Sequence, residues 1–280
     1  MRTLLLCFLL LQSSLALPLI GPSELIFGGS LATQGQFPAQ VHLKFQEVTG
    51  DWYWCGGTLI TPKHVLTAAH CTPSLLLEAK AVAGLANLND VLSDTAQRKN
   101  VVSFVRHPEF DESVAMYYDV AVLTVSSDFK ISKDVKFMTV LRDDSELVAM
   151  PKATVSGYGS YNISASGKFL KSQQLRYAEI DVVNREFCRQ AWSNITDGFL
   201  EVNENHICAG SKGKGSGKFD SGGPLQVKVN DKWVQIGLVT GGPSEYPLVL
   251  QQDELPGVYT RVSKYCNFLE EATNNEFQCS

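Results

Sequence analysis

From Ala39 onward the chain alternates: Val41, Leu43 and Phe45 are apolar, while His42 and Lys44 between them are polar. A period of two sends successive side chains to opposite faces, so the run predicts a half-buried strand. Short runs of the same kind recur at Val120 to Val125, Leu225 to Val229, Trp233 to Val239 and Val258 to Val262. Clusters of Gly, Pro and Asn separate them, which predicts an all-β sandwich or barrels. Only the end of the chain follows a helical period. Val262, Tyr265, Phe268, Leu269 and Ala272 return every three or four residues and predict a short C-terminal amphipathic α-helix packed on the β body. No internal repeat or low-complexity segment is visible in 280 residues, a length that fits one large all-β domain or two smaller ones.

Composition adds a core and a compartment. Apolar residues make up 44% and charged residues 19%, too apolar a mix for a disordered chain. The formal net charge of -5 advertises no basic face, which argues against nucleic acid as a partner. Met1-Arg2, the apolar run Leu4 to Leu11 and then Ser14-Leu15-Ala16 predict a secretory signal over residues 1–16. That run is too short to span a bilayer, so a soluble, exported protein with no membrane partner is expected. Residues 17–25, with two prolines, read as a linker or propeptide, and the domain begins at Ile26 and runs to Ser280. Once Cys7 leaves with the signal, six cysteines remain: Cys55, Cys71, Cys188, Cys208, Cys266 and Cys279. An even set in an exported chain predicts disulfides, with the pairing open on sequence grounds alone. Asn162-Ile163-Ser164 and Asn194-Ile195-Thr196 are permitted glycosylation sites in that compartment.

The chemistry gathers around Phe219-Asp220-Ser221-Gly222-Gly223-Pro224, a serine set between an acid and two glycines on a tight turn. Such a turn exposes the hydroxyl and lets neighbouring amides point at one oxygen. Far upstream stands Leu66-Thr67-Ala68-Ala69-His70-Cys71, and between them Asp119 precedes the apolar run Val120 to Leu123. A serine hydroxyl is a weak nucleophile at neutral pH and needs a base to take its proton, and an imidazole held by a carboxylate is such a base. His42, His64, His107 and His206 read as structural, since none stands beside a second ligand type at metal spacing. Neither a metal nor a cofactor is expected.

With His70, Asp119 and Ser221 in that chain order, each in its own motif, the sequence resembles the chymotrypsin and trypsin family of serine proteases. The resemblance covers residues 26 to about 270 and includes Arg106-His107-Pro108, Gly157-Tyr158-Gly159, His206 to Gly210 and Pro256 to Val262. It implies two six-stranded antiparallel β-barrels with the site in the cleft between them. It also implies roles: Ser221 as nucleophile, His70 as base and then acid, Asp119 as the group that orients His70, and the N-H groups of Phe219 and Ser221 as an oxyanion hole. Cutting before Ile26 would free an α-amino group to pair with Asp220, making residues 17–25 an inhibitory propeptide. Motif matching implies the bridges Cys55–Cys71 and Cys188–Cys208, which leaves Cys266 and Cys279 to each other. The implied partners are protein or peptide substrates and protein inhibitors, and a monomer is expected.

Departures from the family sharpen the expectations. Leu25 stands where many relatives carry Arg or Lys, and Phe219 where glycine is usual. Gly215 falls at the base of the acyl-side pocket, where trypsin-like enzymes carry Asp, with Gly242 and Gly257 along its walls. Thr240, Gly241 and Gly242 form the strand expected to pair with substrate backbone. An open glycine-lined pocket implies large apolar or aromatic residues on the acyl side, a preference consistent with cutting after Leu25. Asp253 and Glu254, in an enlarged loop before Pro256, leave a basic preference open. Phe219, Gly217 in place of a cysteine, and Gly241 in place of an aromatic residue support a rival reading, a weak or silent homologue that serves as a binding module.

Overall fold

The computed structural model describes residues 26–114, 116–164 and 166–280. The expected signal segment, Cys7 and the expected propeptide with Leu25 lie outside the described residues. Six strands, β1 (Gln40–Glu47), β2 (Trp52–Leu59), β3 (His64–Thr67), β4 (Leu76–Ala83), β5 (Gln97–Arg106) and β6 (Ala121–Val125), close into a barrel in the order β1-β2-β3-β6-β5-β4. Six more, β7 (Lys152–Gly157), β8 (Arg176–Val183), β9 (His206–Ala209), β10 (Pro224–Val229), β11 (Lys232–Gly241) and β12 (Gly257–Arg261), close in the order β7-β8-β9-β12-β11-β10. All pairings within both barrels are antiparallel. The two orders are the same permutation. The halves therefore repeat an architecture that the sequence does not repeat, because a period-two pattern fixes which face is buried and not which side chains fill it.

Alternation explains the first barrel's interior. Val41, Leu43 and Phe45 are fully buried and pack with Leu59, Val65 and Leu123. The other face of β1 differs from expectation: His42 is buried as well, because Tyr158 from the second barrel packs edge-on against it at 5.4 Å. Polar side chains stitch the junction. Ser156 Oγ donates to Gln40 Oε1 at 2.8 Å and accepts from Gln226 Nε2 at 3.0 Å, and Tyr158 OH donates to Leu85 O at 2.6 Å.

The terminal helix is present, as a 3-10 turn Val262–Tyr265 leading into Cys266–Ala272. Its apolar side, with Val262, Cys266 and Leu269, packs on Leu66, Val120 and Val122 of the first barrel. A second helix, Arg185–Ile195, corrects the expectation that only the chain's end is helical. Asn184 caps it by accepting from the N-H groups of Glu186 and Phe187, and Cys188 and Trp192 form its buried stripe. Three disulfides close as expected, Cys55–Cys71, Cys188–Cys208 and Cys266–Cys279. Bridges of this kind typically contribute about 2–4 kcal/mol each. Among the described residues no helix is long and apolar enough to cross a membrane.

Candidate active site

Asp119 precedes β6 and is completely buried, so each of its oxygens must find donors. Oδ1 accepts from the backbone N-H of His70 at 2.9 Å, and Oδ2 accepts from His70 Nδ1 at 2.7 Å. The Thr240 hydroxyl also donates to Oδ2, while Thr260 Oγ1 donates to the Asp119 carbonyl at 3.2 Å. Thr240 is thus turned toward Asp119 by its side chain, a contact the sequence reading missed. His70 stays partly exposed at the cleft. Burial lowers its pKa, but the charge of Asp119 and their hydrogen bond outweigh that and raise it above the ordinary 6.5.

Ser221 reaches the same place by close backbone approach. Its carbonyl accepts from Gly56 N-H at 2.7 Å; Gly56 follows Cys55, whose disulfide partner Cys71 follows His70. Gly222, at φ +74°, lets the turn press on β3: a Cβ there would lie 2.1 Å from Thr67 Oγ1. No hydrogen bond joins Ser221 Oγ to the His70 ring, an arrangement common before substrate binds. Around the serine, the N-H groups of Asp220, Gly222 and Gly223 donate to backbone carbonyls, whereas those of Phe219 and Ser221 donate to none among the described residues. Two neighbouring amides are therefore free. Phe219 holds φ at +75°, a region L-residues rarely occupy, and its ring packs edge-on against Trp54 at 6.1 Å.

Asp220 is also fully buried, and burial pushes its carboxyl up to about 7 although Gly217 N-H and Gly159 N-H both donate to it. The glycines of Gly157-Tyr158-Gly159 make its room: a Cβ at either would fall within 2.4 Å of the carboxylate. Ile26 lies in the core of the second barrel, 1% exposed. Phe27 follows it and accepts from Gly215 N-H at 3.2 Å. Its ring fills the space beside Gly217, where a Cβ would meet it at 2.8 Å. The wall that lacks a cysteine is backed by an aromatic ring instead.

The expected glycine-lined pocket is not open at its base. A Cβ on Gly215 would lie 1.8 Å from Gln252 Oε1, so the Gln252 carboxamide occupies the space into which a side chain at 215 would project. Its Nε2 donates to Ser216 O at 2.9 Å and Val249 O at 3.2 Å, which fixes its orientation. Oε1 is buried and accepts no hydrogen bond from the described residues. What remains is a recess of about 170 Å³ lined by Ser216, Lys218, Ser221, Gly241, Gly242 and Pro243 among others, with neither Gly215 nor Gly257 in its lining. Gly257 instead packs beside Ser216 and Tyr259. Asp253 and Glu254 are exposed, so the acids of the enlarged loop do not supply the floor. Gly241 is covered from the other side by Met116, whose Cε would lie 2.8 Å from a Cβ there; His206 Nε2 hydrogen-bonds Met116 O at 2.9 Å.

Known proteins are similar to this chain over most of its length. The sequence model of the Trypsin family matches residues 26–269. The chain is 33% identical to a tryptase of Mus musculus, over 99% of this chain and 100% of that protein. It is 28% identical to a chymotrypsin-like serine proteinase of Haliotis rufescens, over 96% of this chain and 99% of the relative.

Proposed function

Given that this chain belongs to the trypsin family of serine endopeptidases, we propose that Ser221, His70 and Asp119 carry its hydrolysis of peptide bonds. Ser221 Oγ attacks the scissile carbonyl while His70 Nε2 takes its proton. The N-H groups of Phe219 and Ser221 stabilise the oxyanion that forms. His70 then returns the proton to the leaving amine, and water releases the acyl group by the same steps in reverse. The observation that carries this reading is the buried Asp119 carboxylate, which holds His70 by both its backbone N-H and Nδ1.

The protein is exported as a zymogen: residues 1–16 are removed as a signal, 17–25 form the propeptide, and cutting between Leu25 and Ile26 activates it. Supporting this, Ile26 is buried in the second barrel, and among the described residues Asp220 is buried with no cation among its hydrogen-bond partners. A freed α-amino group would supply that cation and hold Asp220 ionised. Asn194 is exposed on its helix and Asn162 half-buried, and both are proposed glycan acceptors. The mature enzyme is a monomer that acts on protein substrates and meets protein inhibitors. Because Gln252 shortens the pocket, its acyl-side preference is for aliphatic side chains up to the size of Leu25 rather than for aromatic ones.

The decisive test is labelling by a fluorophosphonate probe before and after cleavage at Leu25-Ile26, with Ser221→Ala as control. Labelling of the cut protein alone is expected. No labelling despite a new Ile26 terminus would leave the fold serving as a binding module.

Phe219 sets a second test. A residue held in a poorly populated backbone region stores about 1–3 kcal/mol, and if all of it falls on the transition state the rate drops roughly 5- to 150-fold. Because the resting site already holds Phe219 at that φ, only strain added on reaching the transition state slows the reaction, so Phe219→Gly is expected to raise kcat by no more than that range and to admit bulky inhibitors. Unchanged turnover together with unchanged inhibitor affinity would show that the ring and the strain are inert.

A further inference from the structure

The acyl-side recess is built from loops of the second barrel, and a larger one lies where the first barrel meets Lys171 and Gln173, from the segment that joins two strands of the second. This recess of about 590 Å³ is lined by Lys44, Arg98 and Lys171, by His42, and by apolar surface from Trp54 and Val82. In a chain of net charge -5, no carboxylate is among its described lining residues. Two further lysines of the lining are engaged elsewhere, Lys80 with Glu78 at 3.0 Å and Lys99 with Ser127 Oγ at 2.9 Å. His42 is 8% exposed, and its Nε2 is buried without a hydrogen-bond partner among the described residues. Lys171 Nζ lies 3.5 Å from the Trp54 ring centroid and 5.8 Å from that of Phe219. The recess therefore continues directly from the proposed oxyanion residue.

We propose that this recess binds an acidic segment of the protein substrate on the leaving-group side of the scissile bond. The inference rests on the proteolytic reading of Ser221. A chain that fills the second barrel's recess with its acyl-side residue and crosses Ser221 passes Phe219 and Trp54 into the larger recess. There its carboxylates meet Lys171, Lys44 and Arg98, and an apolar neighbour meets Trp54 and Val82. Burial first, and neighbouring cations second, disfavour positive charge in this recess, and a carboxylate ligand offsets that. Burial, with Lys44 nearby, pulls Lys171 down to about 8, and burial, with Lys171 and Lys44, pulls His42 down to about 3. A concave site joined to the cleft suits a peptide's side chains better than a linear sulfated glycan, which tracks an exposed stripe of charge.

The test is a peptide series identical through the scissile bond, with Asp or Glu, Asn or Gln, or Lys at the second to fourth leaving-group positions. The acidic peptides are expected to show kcat/KM at least about fivefold above the amide peptides, with Lys below both and the differences collapsing at high salt. Lys44→Gln and Lys171→Gln are expected to remove the preference while Lys44→Gln leaves cleavage of the amide peptide unchanged. Equal cleavage of all three sets overturns the proposal and leaves the protease intact. If no peptide is cut, the proteolytic reading fails. Tryptophan fluorescence of Ser221→Ala titrated with the acidic peptide then decides whether the recess binds it: saturable binding lost in Lys171→Gln supports the site, and no binding overturns it. A sulfated oligosaccharide that binds where acidic peptide does not compete also overturns it.

Discussion

Asp119→Asn is expected to cleave a peptide about 10⁴-fold more slowly than the parent protein, a magnitude borrowed from the same replacement in related enzymes. The reason lies in the donors around Asp119. Both carboxylate oxygens are acceptors, one for His70 N-H and one for His70 Nδ1-H and the Thr240 hydroxyl. An asparagine can keep one of these acceptors but must offer its NH₂ at the other. Facing Nδ1, that NH₂ selects the tautomer with the proton on Nε2, which cannot take the Ser221 proton. The fold loses little, because the shape and one backbone hydrogen bond survive. The pH profile separates this from a structural defect. A protonated His70 is inactive as a base, so kcat/KM is lost as pH falls through its raised pKa, and the parent's acid limb is expected above 6.5. In Asp119→Asn the two raising causes are gone and burial alone acts, so the limb moves below 6.5. Rates per fluorophosphonate-titrated site across pH would check both. A loss under about tenfold, or an unmoved limb, would reduce Asp119 to a packing role.

What the sequence made legible follows from which interactions are local. The turn around Ser221, the helical turn of His70 and the strand behind Asp119 each carry their geometry in a few adjacent residues. The two barrels followed from resemblance and not from periodicity, since alternation marks strands without stating their partners. The Arg185–Ile195 helix escaped notice because only Cys188 and Trp192 are buried on it, a stripe too narrow to show as a period. Thr240 was read as part of the substrate-pairing strand, yet its hydroxyl serves Asp119, a partner 121 positions away. No local signal could announce that. The cationic recess was hidden for the same reason: Lys44, Arg98 and Lys171 come from separate strands, and the overall acidity of the chain masks them. In the loop before Pro256 the charges of Asp253 and Glu254 drew attention, while the residue that reaches inward is their uncharged neighbour.

That neighbour gives the second large effect. Gln252→Gly is expected to raise kcat/KM for a Phe substrate relative to an Ala substrate by roughly 10- to 200-fold, the range that pocket-filling groups command. Removing the side chain vacates the space beside Gly215, so the recess gains the depth an aromatic ring needs. The change also removes two hydrogen bonds, to Ser216 O and Val249 O, that tether the loop. Gln252→Leu controls for this, because it gives up the same tethers and keeps the volume; it is expected to leave aromatic substrates excluded. It also replaces a buried acceptor that has no partner among the described residues, which otherwise costs about 1–3 kcal/mol, so part of the lost tethering is offset. Retained Ala cleavage in both variants shows that the loop still folds. With that in hand, a Gln252→Gly protein that still refuses Phe would place the pocket's limit elsewhere, at Met116 above Gly241 or at the wall where Phe27 backs Gly217. An enzyme that takes Phe as readily with Gln252 as without it would show that the carboxamide moves aside when substrate enters. Gly215 has no side chain of its own and the Gln252 carboxamide fills the space beside it, so the two variants test whether loop sequence, rather than the residue at 215, sets what is cut.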